Sequence, residues 1–298
     1  MDLAQRLVVS AALADVDVVA NQLLLWRLRA NHDSNIKHHA GSRVSHHPDW
    51  GNTPVTNLQQ FPVVSTDMGG YGGRQPMFKT VQRLMVQAGR IARERWVALS
   101  LLLMVTAVGC ALILPYDRAW SNLVSGCDEP WHRIATLFSR WGDYWTGTLI
   151  ITAALWLAGV AWRRPWWRMA ALACLLGASV AGLEVDIVRF ATGRPRPGVG
   201  LPDGLYGPHF HRDYLSFPSA HTTTAFATAG VLAVAMPPVG VPLLAGAAGV
   251  GWSRVCQKSH FPSDVWVGAW VGTLNGVVLG FAARRCRRED EAGADGSR

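Results

Sequence analysis

The sequence predicts an all-α integral membrane protein, a six-transmembrane-helix bundle preceded by a polar N-terminal extension. Half of the 298 residues are hydrophobic and only 16% are charged. Stretches without Asp, Glu, Lys or Arg recur along the chain, at 97–114, 147–162, 169–183, 220–252 and 265–283. Because a span needs roughly 20 mostly apolar residues, these stretches are candidate transmembrane helices.

The stretch 220–252 is long enough for two helices. It is interrupted by MPPVGVP at 236–242, and this proline- and glycine-rich run predicts a tight turn. Six helices are therefore expected, near 96–115, 145–163, 166–188, 219–237, 239–256 and 264–283.

The polar and apolar parts of the chain divide it into three regions. Residues 1–95 are expected to be a polar extension, mostly disordered or amphipathic, because 31–76 are rich in His, Gly, Asn and Pro. Residues 96–283 form the predicted membrane domain, and 284–298 form a C-terminal tail.

Arginine clusters predict the orientation of the helices. They precede the first helix, lie between the second and third, and follow the sixth, at 90–95, 163–168 and 284–288. Positively charged loops stay in the cytoplasm, so both termini are predicted to be cytoplasmic. The net charge of +8 is then mainly a topology signal, and nucleic-acid binding is not expected.

Three polar segments should meet at the outer face. They read RFATGRPRP at 189–197, FPSAHT at 217–222 and SRVCQKSHFPSD at 253–264. Counting crossings places the end of the third helix, the start of the fourth, the end of the fifth and the start of the sixth on that side. Ionisable groups at a membrane are costly and are therefore candidates for function.

The cationic residues of these segments suit a phosphate. Guanidinium groups match phosphate oxygens with paired hydrogen bonds, and Arg189, Arg196 and Arg254 supply three of them. Ser219 and Ala220 stand where the fourth helix begins, and free N–H groups at a helix N-terminus also bind anions.

The remaining residues suit phosphoryl transfer. Asp264 follows His260 by four residues and is placed to accept a hydrogen bond from it, which would fix the imidazole tautomer and leave the other nitrogen as nucleophile. His221 is then the candidate general acid for the leaving alcohol. The His and Cys spacing fits no common zinc pattern, so no metal is expected.

These segments resemble the motifs of the type 2 phosphatidic acid phosphatase (PAP2) superfamily, which includes vanadium haloperoxidases. The family motifs K-x6-RP, PSGH and SR-x5-H-x3-D correspond here to Arg189-x6-Arg196-Pro197, Pro218-Ser219-Ala220-His221 and Ser253-Arg254-x5-His260-x3-Asp264. Two positions depart from them. Arg189 replaces lysine, and Ala220 replaces glycine, which adds a methyl group to the phosphate cradle.

The resemblance implies a lipid phosphatase acting through a phosphohistidine on His260, without metal or other cofactor. Its substrate would be phosphatidic acid, a polyprenyl diphosphate, phosphatidylglycerol phosphate or a lipid A phosphate. The expected location is a bacterial cytoplasmic membrane, with the active site on the periplasmic face. A phosphotransferase and an anion transporter remain alternatives, and a disulfide between Cys127 and Cys256 is a further possibility.

Overall fold

A computed structural model describes residues 77–125 and 128–295, and this part of the chain is all-helical. Its α-helices, numbered in chain order, are α1 (Met77–Glu94), α2 (Trp96–Ile113), α3 (Asp117–Val124), α4 (Trp131–Gly142), α5 (Leu149–Ala161), α6 (Pro165–Thr192), α7 (Ala220–Ala235), α8 (Pro237–Cys256) and α9 (Pro262–Asp295). A π-helical turn, Tyr144–Thr148, joins α4 to α5. The predicted all-α class is confirmed.

The chain is an integral, multi-pass membrane protein. Five helical stretches of the described residues are long and apolar enough to cross a bilayer, namely Trp96–Val124, Tyr144–Ala161, Pro165–Val199, Pro237–Cys256 and Pro262–Asp295. The remaining predicted span is α7, which has 16 residues and is therefore about 24 Å long. Its neighbours α6, α8 and α9 bury most of its side chains, so α7 lies in the interior of the bundle.

Among the helix boundaries that differ from the prediction are the start of α8 and the end of α9. The turn expected over 236–242 is confined to Met236, and α8 already begins at Pro237. Proline is tolerated there because its missing N–H would have no partner in the first helical turn. The last helix continues beyond 283 to Asp295. Arg and Glu are good helix formers, and Arg287 pairs with Glu291 one turn later at 2.7 Å.

Helix α1 packs against the membrane domain through one apolar face. Its buried apolar residues share the spacing of a single helix face: Leu84, Ala88 and Ile91. On its polar face, Arg83 contacts Asp290 of α9 at 2.8 Å. Residues 1–76 lie outside the described residues, so the boundary at residue 95 stays a prediction. The same holds for the disulfide of Cys256, because Cys127 is also outside them.

Helices α7 and α9 pack closely along a glycine stripe. The glycines recur at every fourth residue of α9: Gly268, Gly272, Gly276 and Gly280. A Cβ at Gly272 would overlap the carbonyl oxygen of Thr223, which is the close backbone approach that small residues permit in membrane helices. The same contact aligns the starts of the two helices, where the Ser219 N–H donates to the Asp264 carbonyl at 3.0 Å.

Candidate active site

The three predicted segments meet at one end of the bundle, where α6 and α8 finish and α7 and α9 begin. We call this the site end. Backbone hydrogen bonds tie the segments together: the N–H of Ser216 donates to the carbonyl of Arg194 at 3.1 Å, and the N–H of Gly198 donates to that of Lys258 at 3.0 Å. Gly193 ends α6 with a φ of +56°, a conformation that favours glycine. The chain therefore turns back over the bundle just before the arginines.

His260 is buried at the site end and its tautomer is fixed. Its Nδ1 lies 2.7 Å from the backbone carbonyl of Ser216. A carbonyl oxygen only accepts, so Nδ1 carries the hydrogen and Nε2 keeps the lone pair. The expected partner was Asp264, but its Oδ2 lies 3.7 Å away, too far for a hydrogen bond. The tautomer is therefore set by a backbone group instead of the carboxylate.

The His260 imidazole is neutral at physiological pH. Burial lowers its pKa from 6.5 to about 4, and the nearby positive charges of Arg254 and Arg196 act in the same direction. The negative charge of Asp264 opposes them only in part. A buried imidazole surrounded by cations stays unprotonated because both desolvation and like charge disfavour imidazolium.

Asp264 anchors the segment that carries His260. Its Oδ2 accepts hydrogen bonds from the Ser216 hydroxyl at 2.6 Å and from the Phe261 N–H at 2.8 Å, and its Oδ1 accepts from Arg194 Nη1 at 2.6 Å. The Ser216 backbone in turn holds His260. Asp264 therefore acts on His260 through its charge and through Ser216.

Arg194 and Asp117 complete a buried ionic network that sequence reasoning missed. Arg194 bridges two carboxylates, with Nη2 2.7 Å from Asp117 Oδ2 and Nη1 2.6 Å from Asp264 Oδ1. Asp117 also accepts from the backbone N–H of Ser263 at 2.9 Å and from its hydroxyl. The guanidinium carbon of Arg194 lies 4.3 Å from the centroid of the Phe261 ring. Arg194 falls between Arg189 and Arg196, two of the three arginines selected from the sequence, and Asp117 is the first residue of α3.

The other arginines are only partly occupied by protein partners. Arg189 donates from Nη1 to Asp186 at 2.8 Å, and Arg254 donates from Nη1 to the Ser139 hydroxyl of α4 at 2.6 Å. Within 77–125 and 128–295, the buried Nε–H groups of Arg196 and Arg254 have no hydrogen-bond partner. Since unpaired buried donors are rare, these groups favour an anionic ligand.

The start of α7 adds further donors beside the arginines. Ser219 is the N-cap residue, and Ala220 and His221 occupy the first turn, where backbone N–H groups have no partner within the helix. The Ser219 hydroxyl accepts from the Thr222 hydroxyl at 3.0 Å. His221 is one-third exposed, with Nε2 3.9 Å from Asp143 Oδ1. All eight residues selected from the sequence lie in these segments of the site end.

Comparison with known proteins identifies the family of the chain. The family model of the PAP2 superfamily matches residues 165–286. The decaprenylphosphoryl-5-phosphoribose phosphatase of Mycobacterium tuberculosis is 31% identical over 158 residues, which cover 50% of this chain and 81% of that protein. The chain belongs to the PAP2 superfamily. The resemblance inferred from the three motifs is confirmed.

Other proteins are matched over differing shares of their length. The lipid A 1-phosphatase of Rhizobium johnstonii is 34% identical over 106 residues, covering 33% of this chain and 43% of that protein. This chain thus spans less than half of that relative. A crystal structure of a transmembrane PAP2-type phosphatidylglycerolphosphate phosphatase from Bacillus subtilis superimposes with a TM-score of 0.48 at 24% identity, covering 61% of this chain and 94% of that one.

Proposed function

We propose that this chain is a lipid phosphate phosphatase that works through a phosphohistidine intermediate. The observation that carries the proposal is His260, a buried neutral imidazole with its Nδ1–H held by the Ser216 carbonyl and its Nε2 lone pair left available. Arg196 and Arg254, which act electrostatically on that ring, have unpaired Nε–H donors among the described residues. A nucleophile beside a set of anion donors is the arrangement that phosphoryl transfer requires.

The reaction has two steps. In the first, His260 Nε2 forms a bond to phosphorus while the bond from phosphorus to the leaving oxygen breaks, and His221 gives that oxygen a proton. In the second, His221 removes a proton from water as the water oxygen attacks phosphorus, and the bond to His260 breaks. Arg189, Arg196 and Arg254 hold the non-bridging oxygens together with the Ser219 hydroxyl and the N–H of Ala220, where transition-state charge is spread.

An apolar cavity supports a lipid as the substrate. It lies one helical turn from the site residues, since Ala225 follows His221 by four positions and Val250 precedes Arg254 by four. Phe138 also lines it, and the cavity suits the hydrocarbon part of a phosphorylated lipid. Two relatives are named for lipid phosphates, a lipid A 1-phosphate and a decaprenylphosphoryl phosphoribose.

Phosphate release from a substrate panel tests this function. The panel contains phosphatidic acid, a polyprenyl diphosphate, phosphatidylglycerol phosphate and a lipid A phosphate, offered to the purified protein in detergent. We expect turnover of at least one lipid. Arg254→Gln should lower the rate of phosphate release about 100-fold, because the transition-state charge loses one hydrogen-bond donor. Added glycerol as acceptor separates hydrolysis from phosphotransfer, since a transferase would form glycerol phosphate. No turnover of any of these lipids would contradict the proposal.

The site is proposed to face the outer leaflet. The support is the arginine clusters at 90–95, 163–168 and 284–288, which by the positive-inside rule lie in the cytoplasm. In a background without native cysteines, Gly204→Cys should react with an impermeant thiol reagent in intact cells. Gly293→Cys, in the exposed end of α9, should react only after the membrane is opened. The reverse pattern would place the site in the cytoplasm.

The pH dependence of turnover should reflect the low pKa of His260. With a pKa of about 4, the nucleophile stays neutral as the pH falls from 7 to 5, so the enzyme should lose no activity there through its protonation. The phosphate of the substrate also titrates in this range, so kcat/KM is measured with two substrates of different phosphate pKa. If the pH at which kcat/KM falls differs between the two substrates, the titrating group belongs to the substrate. A limb near pH 6.5 that is common to both substrates and persists in His221→Gln would contradict the neutral nucleophile.

The anion transporter is the weaker interpretation. Transport sites usually lie near the bilayer midplane, whereas Arg189 ends α6, Arg254 ends α8 and Asp264 begins α9. The charged groups are therefore gathered at the ends of the helices.

A further inference from the structure

Asp143 is an acidic residue close to His221 that has no role in the two-step reaction described above. It is the residue between α4 and the π-helical turn Tyr144–Thr148. Its Oδ2 accepts from the backbone N–H groups of Trp145 at 3.1 Å and Thr146 at 3.2 Å. The other oxygen, Oδ1, lies 3.9 Å from His221 Nε2. One carboxylate oxygen thus fixes the side chain, and the other points toward the imidazole.

The separation between Asp143 and His221 is set by a second contact. The hydroxyl of Thr224, three residues beyond His221 on α7, lies 3.0 Å from the carbonyl of Gly142 and shares its hydrogen between that oxygen and the carbonyls of Ala220 and His221 in its own helix. Gly142 directly precedes Asp143. This contact joins the first turns of α7, which carry His221, to the end of α4, which precedes Asp143. The backbone therefore holds the carboxylate near the ring.

The positive charges near His221 disfavour its protonated form, and a carboxylate beside the ring counteracts them. The charges of Arg254 of α8, Arg189 of α6 and Arg196 of the following loop act electrostatically on the ring and disfavour its protonation. A proton on His221 placed among guanidinium groups costs Coulomb energy, and a carboxylate at about 4 Å offsets part of that cost. Among the described residues, Asp143 is the acid that lies within 4 Å of it.

We propose that Asp143 is a positioning residue for His221, one that orients the ring through Nε2 and stabilises its protonated form, so that Nδ1 donates to the leaving oxygen. This role rests on the proposed phosphatase function. The contact of 3.9 Å shortens when a proton is present, since catalytic hydrogen bonds are often long in ligand-free structures. No new bond is formed by Asp143, and the proton passes from His221 to the leaving alcohol.

Leaving-group dependence tests the role. Asp143→Asn keeps the size and the N-capping ability of the side chain but removes its charge. Decyl phosphate needs a proton on its leaving oxygen, whereas 4-nitrophenyl phosphate releases a stable anion without one. We expect Asp143→Asn to lower kcat/KM for decyl phosphate by about 10- to 100-fold, within the range of general acid catalysis, and that for the aryl ester by less than about threefold. Asp143→Glu should recover part of the loss.

His221→Gln supplies the matched comparison. It should give the same selective loss, and adding Asp143→Asn to it should lower the rate no further, because the two residues act as one unit. Equal loss on both esters, or loss on neither, would overturn the role of Asp143 while leaving the phosphatase function standing. If the wild-type protein hydrolyses neither ester nor any lipid phosphate, the proposed function falls and this role falls with it.

Discussion

Replacing His260 with glutamine is expected to remove nearly all phosphate release, by about 10⁴-fold or more, because the proposed covalent intermediate can no longer form. Glutamine is close to histidine in size and is polar, so it can fill the buried position that His260 occupies. The local fold should therefore survive. Ser259→Ala, at the neighbouring position, serves as the control and should keep turnover within about twofold.

Two measurements accompany this variant. Phosphate release reports turnover, and thermal unfolding in detergent reports whether the variant is folded. A folded variant of His260→Gln with near-normal turnover would contradict the assignment of the nucleophile.

Replacing Arg194 with methionine is expected to damage both folding and activity. Arg194 neutralises two buried carboxylates at 2.7 Å and 2.6 Å, those of Asp117 and Asp264. Its loss leaves two uncompensated negative charges, and breaking such a buried arrangement costs about 3–5 kcal/mol. Because Asp264 holds Phe261 and Ser216, the nucleophile should also lose its position.

A second substitution separates charge from packing. Adding Asp117→Asn to Arg194→Met removes one of the two orphaned charges, so the double variant should be more stable than Arg194→Met alone. Arg194→Lys keeps the charge but cannot bridge both carboxylates as a fork, and it should fall between wild type and Arg194→Met. The measurements are the midpoint of thermal unfolding and kcat/KM on the same preparations. An Arg194→Met variant with unchanged midpoint would contradict the network's role.

Much of the fold follows from local sequence properties. Charge-free runs set the positions of the spans, and the apolar run 97–114 is matched by α2 (Trp96–Ile113). The spacing of Arg254, His260 and Asp264 at the end of one helix and the start of the next was enough to place them at the same end of the bundle, because hydropathy and crossing parity do not depend on tertiary detail. The first and last residues of the helices were predicted less accurately. Helix α8, for example, was expected to begin at residue 239 and begins at Pro237.

The connections within the site could not be predicted in the same way. Asp117 and Arg194 are 77 residues apart in the chain, and no spacing rule links an acid at the start of α3 to an arginine just after α6. The partner of His260 Nδ1 is a backbone carbonyl, and every residue has one, so its identity depends on the path of the loop. Asp143 is the N-cap residue of a π-helical turn that has no simple sequence pattern.

Trapping of the phosphorylated enzyme tests the central claim most directly. The wild-type protein is mixed with a lipid substrate carrying labelled phosphate, quenched during turnover, and digested for peptide mapping. The proposed mechanism predicts label on His260, in a form that acid removes and alkali does not, and no label on the protein of His260→Gln. Label on another residue, or an acid-stable bond, would contradict a phosphohistidine at this position.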